Sequence, residues 1–227
     1  MQNRNVFILL GQSNMVGQGD LSEVINISNS RIYSFNNNCW DIAQEPLHKD
    51  NQKAGIGLAM SFAETLIKEN TIERVDFIPL AIASTQLDEW MPYSRLYNRV
   101  LSTIQAADIS LNDIKGVLWH HGESETKDIL RASSYAYRFE FLIKYLRQDL
   151  GNDNLPIIAG EQGHFLDDRF KFAHIVNEQL HSLEQKLNNF KVVSSNEITA
   201  NDDGIHMSAK SLREFGNRYA KAFLDMK

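Results

Sequence analysis

The stretch Val6-Phe7-Ile8-Leu9-Leu10-Gly11-Gln12-Ser13-Asn14-Met15 decides the fold. Five consecutive apolar residues read as a strand with no water on either face, and the run is too short for a buried helix. A strand covered on both sides belongs to a sheet sandwiched between helices. Short apolar runs of the same kind recur at residues 75–82, 116–119, 155–159 and 190–193, and a further strand fits 31–35. Helix-period segments lie between or after most of them. Residues 57–68 place Leu58, Phe62, Leu66 and Ile67 on one stripe, and residues 131–147 do the same with Tyr135, Phe139, Leu142 and Leu146. Two more helices fit 169–187 and 211–225; Ser211 and Glu214 are spaced as a capping box at the start of the last. Alternating strands and helices imply parallel pairing. The expected architecture is a three-layer α/β/α sandwich around a roughly five-stranded parallel sheet, with residues 17–54 its least regular part.

At 227 residues, 43% of them apolar, the chain has material for one substantial core and reads as a single domain over residues 1–227. A net charge of −6 without any Lys or Arg run excludes electrostatic binding to nucleic acid or anionic lipid, so neutral or small molecules are the expected partners. No stretch approaches the roughly 20 apolar residues of a membrane span. The five-residue run near the N-terminus falls short of the roughly 7–15 of a signal-peptide core and has no small-residue cleavage site behind it. Cys39 stands alone, so it forms neither an internal disulfide nor a thiolate metal site. A cytoplasmic location is the default expectation, or a secreted one if a leader has been removed.

Ligands of parallel α/β sheets bind beyond the carboxyl ends of the strands, near the switch in strand order. Ser13, Ser84 and His121 each follow an apolar run and would surface there. A serine hydroxyl becomes a nucleophile only with a base in reach and a third group that fixes the base's tautomer. The distant Asp203-Gly204-Ile205-His206 supplies both: three residues of separation set the carboxylate beside Nδ1 and leave Nε2 to face a serine. His120 and His121, adjacent on or after a strand, point to opposite faces and do not share a metal ion.

Four blocks, Gly11-Gln12-Ser13-Asn14-Met15, Ala81-Ile82-Ala83-Ser84-Thr85 with Glu89-Trp90, Trp119-His120-His121-Gly122-Glu123-Ser124 and Asp203-Gly204-Ile205-His206, resemble the SGNH hydrolases. Within them the chain is similar to the carbohydrate O-acetylesterases, which include acetylxylan esterases and sialate O-acetylesterase-like proteins. The resemblance covers nearly the whole chain. It implies a flavodoxin-like sandwich, an acetylated carbohydrate as substrate and no metal or cofactor, with Ser13 as nucleophile, His206 as general base and Asp203 as its orienting acid. It also implies an oxyanion hole from Ser13, Ser84 and His121. The chain departs from the family where Ala83 and Ser84 replace paired glycines and where His121 replaces a glutamine. Glu123 is a supporting carboxylate or an alternative acid partner for His206. Gln12 and Trp90 are candidate substrate contacts, Trp40 and Trp90 being either walls for a sugar ring or plain packing. His164 borders the pocket or is a solvated loop residue; His48, His174 and His181 read as surface or packing residues, and Asp202 faces solvent. Two alternatives are a lipase- or thioesterase-like enzyme on acyl chains and a carbohydrate-binding relative without turnover. Which sugar is bound, and the oligomeric state, are not written in these motifs.

Overall fold

The run at residues 6–10 is the middle of the sheet. In the computed structural model, which describes residues 4–226, seven strands lie in the order β3-β2-β4-β1-β5-β6-β7. They are β1 (Val6–Gly11), β2 (Ile32–Asn36), β3 (Cys39–Ile42), β4 (Val75–Pro79), β5 (Ile114–His120), β6 (Ile157–Gly160) and β7 (Phe190–Val193). All neighbours pair in parallel except β2 and β3, an antiparallel pair at one edge. The sandwich is as expected, and the sheet has two more strands than the rough count of five. One of them, β2, is the further strand expected at 31–35; β3 escapes an apolar-run reading because it is largely exposed. An edge strand that faces water has no reason to be apolar.

Side-chain alternation along β1 builds both cores. Val6, Ile8 and Leu10 join one cluster with Trp119, Leu142 and Leu180, while Phe7 and Leu9 join another with Phe62, Phe77 and Phe215. The first face is covered by α3 (Arg95–Ala106), α4 (Ile129–Ser133), α5 (Tyr135–Asp149) and α6 (Ala173–Lys186). The second is covered by the short α1 (Ser13–Val16), α2 (Ala59–Lys68) and α7 (Ala209–Leu224). The α3 segment is a helix to which the sequence analysis assigns no element. Its apolar residues Leu96, Tyr97, Val100 and Ile104 do follow helical spacing, and Ser94 caps it by accepting the Tyr97 N–H at 3.2 Å. Helix α7 starts earlier than the Ser211–Glu214 pattern suggests. Ser208 is its N-cap, and Ser211, already inside the helix, accepts the N–H of Thr199 at 2.8 Å. None of the helices among the described residues is long and apolar enough to cross a membrane.

Outside β2 and β3, residues 17–54 are irregular but anchored. Buried Glu45 accepts from Gly57 N–H and forms an ion pair with Arg213 of α7. At the exit of β1 the chain passes so close to β5 that a Cβ on Gly11, where φ is +131°, would sit 2.0 Å from the carbonyl oxygen of His120. Only glycine fits. Gly11→Ala is therefore expected to lower the unfolding free energy by about 3 kcal/mol or more, combining overpacking with backbone strain, as read from urea denaturation.

Candidate functional site

The strand order reverses around β1, whose neighbours β4 and β5 lead the chain away in opposite directions. The segments that follow these three strands carry Ser13, Ser84 and Glu123. Ser13 opens α1 directly after β1 and is largely buried, and its hydroxyl makes no hydrogen bond with any described residue. His206 comes from the loop before α7. Its Nδ1 lies 2.5 Å from Asp203 Oδ2, while Asp203 Oδ1 accepts the N–H groups of Ile205 at 2.8 Å and His206 at 2.9 Å. Burial raises the Asp203 carboxyl, but the backbone N–H and ring of His206 and the N–H of Ile205 together outweigh it and hold the group below the usual carboxylate range. An ionised Asp203 accepts from Nδ1–H, which leaves Nε2 of His206 with a free lone pair.

Asn14 ties this loop to the end of β1. Its Oδ1 accepts from Met207 N–H at 2.9 Å, and its Nδ2 donates to Ile205 O at 3.3 Å and to Glu123 Oε1 at 2.6 Å. One side-chain amide thus grips both peptides flanking His206. Glu123, for which the sequence leaves two roles open, is buried and holds Asn14; Asp203, not Glu123, contacts the His206 ring. Burial pushes the Glu123 carboxyl up, but His120, 3.4 Å away, and Asn14 bring it down to about 2. The role of Asn14 has no sequence signal beyond its place in the first block, because its partners lie more than 100 residues away.

Ser84 adopts φ = +61°, the left-handed backbone expected of the glycine that the resemblance puts there. The N–H groups of Ser13 and Ser84 make no hydrogen bond with described residues. The loop carrying Ser84 is clamped from behind. Thr85 O accepts from His121 Nε2 at 3.1 Å and Ser124 Oγ at 2.5 Å, and buried Glu125 accepts Leu87 N–H at 2.9 Å and pairs with Arg138 at 2.5 Å. Glu125 and Arg138 carry no motif and were invisible to the sequence reading.

Three expectations need correction. His121 does not offer a ring N–H to an oxyanion: the ring is fully buried against Trp119 and Tyr135, and its Nε2–H is spent on Thr85 O. Burial lowers its pKa to about 4, so it stays neutral. Trp90 is not a sugar wall but a buried core residue, edge-on to Trp119 with its indole N–H on Thr85 Oγ1. Gln12 is likewise inside, where its Oε1 accepts Gly122 N–H at 2.9 Å and so joins the exits of β1 and β5. Trp40 packs on Phe35 at the β2–β3 edge. His48 is a buried packing residue that bridges Val16 O and Ala81 N–H. His164 and His174 are exposed in a cleft beside α6, and His181 pairs with Glu161 at 2.7 Å. Asp202 is exposed. His120 and His121 do point to opposite faces, His120 against Phe215 and His121 against Tyr135. Among the described residues, no group of three His, Cys, Asp or Glu is arranged to hold a metal ion.

A family model described as carbohydrate esterase, sialic acid-specific acetylesterase matches residues 3–225. The chain belongs to this carbohydrate esterase family. A probable carbohydrate esterase from Arabidopsis thaliana is 31% identical over 96% of this chain and 90% of its own length. The X-ray structure of an Arabidopsis thaliana protein is similar with a TM-score of 0.88, at 29% identity and with 98% of each chain covered. A carbohydrate acetylesterase from Xanthomonas citri, at 18% identity, shares the fold with a TM-score of 0.70 over 96% of this chain and 55% of its own. The SGNH-type resemblance and the α/β/α fold therefore hold for this esterase family member.

Ser84→Gly should raise the unfolding free energy by about 0.5–1 kcal/mol, since the left-handed cost exceeds the entropy that glycine returns to the unfolded chain. His48 and His121 are both held near pKa 4 by burial, against 6.5 in the unfolded chain. Between about pH 6.5 and pH 4 the unfolded state binds more protons, so stability falls as pH drops through that window. Denaturation midpoints measured across it should show this slope, and His48→Gln or His121→Gln should flatten it.

Proposed function

We propose that the protein is a serine esterase that removes an O-acetyl group from a carbohydrate through an acyl-enzyme. The observation that carries this reading is the His206–Asp203 pair at 2.5 Å, whose loop is gripped by Asn14, the residue directly after Ser13. Ser13 Oγ attacks the ester carbonyl while His206 Nε2 takes its proton, and Asp203 holds the Nδ1–H and stabilises the imidazolium. The oxyanion is met by the N–H groups of Ser13 and Ser84, which carry no other partner. Collapse of the intermediate breaks the bond to the sugar oxygen. His206 returns the proton to the sugar, leaving acetyl-Ser13. Water then repeats the sequence, with His206 as base, and releases acetate. Family membership supports the ester bond and the carbohydrate, and the buried Glu123 serves as a positioning residue through Asn14.

Hydrolysis of an aryl acetate tests the assignment. Ser13→Ala should cut kcat by about 10⁶ and Asp203→Asn by about 10⁴, and Glu123→Gln should cost less than Asp203→Asn. Turnover that persists in Ser13→Ala overturns the reading. A Glu123→Gln variant that is silent beside an active Asp203→Asn transfers the acid role.

A further inference from the structure

His120 closes β5 on the face opposite to His121, and the reaction above uses neither ring. His121 is accounted for by Thr85 O. His120 is fully buried on the α7 side, edge-on to Phe215 with ring centroids 5.5 Å apart. A Cβ at Gly160 of β6 would lie 2.6 Å from its Nδ1, so the ring fills the room that this glycine leaves. Its Nε2 lies 3.4 Å from Oε1 of Glu123, and neither ring nitrogen makes a hydrogen bond among the described residues. Glu123 is equally isolated. Its Oε1 accepts from Asn14 Nδ2 at 2.6 Å, its Oε2 has no hydrogen bond, and His120 is its one ion-pair partner among the described residues.

A carboxylate taken out of water needs a counter-ion or several donors. The other titratable side chains around Glu123 do not supply one. Tyr219 of α7 donates its hydroxyl proton to Trp119 O and Tyr135 of α5 donates to His121 O, each at 2.8 Å, and burial holds both phenols well above their ordinary range. His121 is kept neutral by burial, and Glu125, the next buried carboxylate, already has Arg138. Against the upward push of burial, contact with His120 is the largest influence that brings the Glu123 carboxyl down to about 2.

Asn14 reads the charge on Glu123. An ionised carboxylate only accepts, so it selects Nδ2 of Asn14. That choice leaves Oδ1 for Met207 N–H at 2.9 Å and lets Nδ2 reach Ile205 O at 3.3 Å. A protonated Glu123 would offer a donor where Nδ2 sits. Turning the amide over to meet it would set Nδ2 against Met207 N–H, and both peptides beside His206 would lose their partner.

We infer that His120 is a positioning residue for ester hydrolysis: by pairing with buried Glu123 it keeps that carboxylate an acceptor, and so fixes the Asn14 amide that holds the His206 loop. The inference rests on the esterase reading above and places one more residue behind Asn14 and Glu123.

Aryl acetate hydrolysis followed across pH tests it. Without His120 the buried carboxyl rises, so Glu123 should take up a proton within the working range of a His120→Phe variant. The acid limb of its kcat profile should then show two ionisations where the wild type shows one. On that limb kcat should fall about tenfold below the wild type while KM stays within about twofold. Adding Glu123→Gln, which does not titrate, should abolish the second ionisation. Ring-nitrogen NMR shifts give a reading that does not need His120→Phe to fold: at one pH, His120 should be less protonated in Glu123→Gln than in the wild type. A single ionisation in folded His120→Phe, a second one that survives Glu123→Gln, an effect confined to KM, or a His120 ring indifferent to Glu123→Gln each overturns the inference. Turnover that the wild type shows and Ser13→Ala lacks leaves the esterase reading standing in all those cases; its absence removes both.

Discussion

Strand β1 has water on neither face, and its exit touches the backbone of β5. Alternate side chains of one six-residue strand nucleate two separate cores, so helices must cover both sides, and the strand must lie in the interior of the sheet. The same constraint positions the chemistry. Because β4 and β5 flank β1 in parallel, the segments after all three strands emerge at one edge. The absent Cβ of Gly11 lets the last residue of β1 approach the carbonyl of His120, and from there the chain turns directly into Ser13.

The second level of organisation is a set of buried polar contacts that converts this edge into a site. Asn14 spends its amide on Glu123 and on the two peptides around His206, joining three regions that are remote in the chain. Gln12 joins the exits of β1 and β5, while Thr85 O gathers donors from His121 and Ser124. Each contact is between groups that water cannot reach easily, where an unmade hydrogen bond is costly. Rigidity of the Ser13, Ser84 and His206 segments follows from that cost, and preorganised donors are what ester hydrolysis needs from its scaffold.

His121 illustrates how context reassigns a residue. An imidazole where the family resemblance puts an amide suggests a donor with a titratable charge facing the ligand. Buried among Trp119 and Tyr135, the ring instead stays neutral and clamps the neighbouring loop. Ser84 illustrates the converse: the side chain differs from glycine, but the surrounding turn imposes the glycine-like backbone at φ = +61°.

Much of this protein was legible in the amino-acid sequence because the relevant signals are local. Continuous apolar runs mark strands buried on both faces, 3.6-residue spacing marks most of the helices that cover them, and the three-residue interval from Asp203 to His206 already dictates a carboxylate–imidazole contact. Features lacking a local signature were not legible. Strand β3 is too exposed to need an apolar pattern; α3, by contrast, did carry a local signal in its spacing and its Ser94 cap. The roles of Asn14, Glu125 and Arg138 depend on partners up to 193 residues distant. Burial itself is also a property of the assembled fold, and it alone separates Trp90 as core from Trp90 as sugar wall. The sequence by itself determined the sandwich and the residues available for chemistry, since periodicity and short spacings survive in one dimension. Which of those residues are buried, and which meet across the chain at Asn14, were decided only when the tertiary structure brought distant loops to one edge of the sheet.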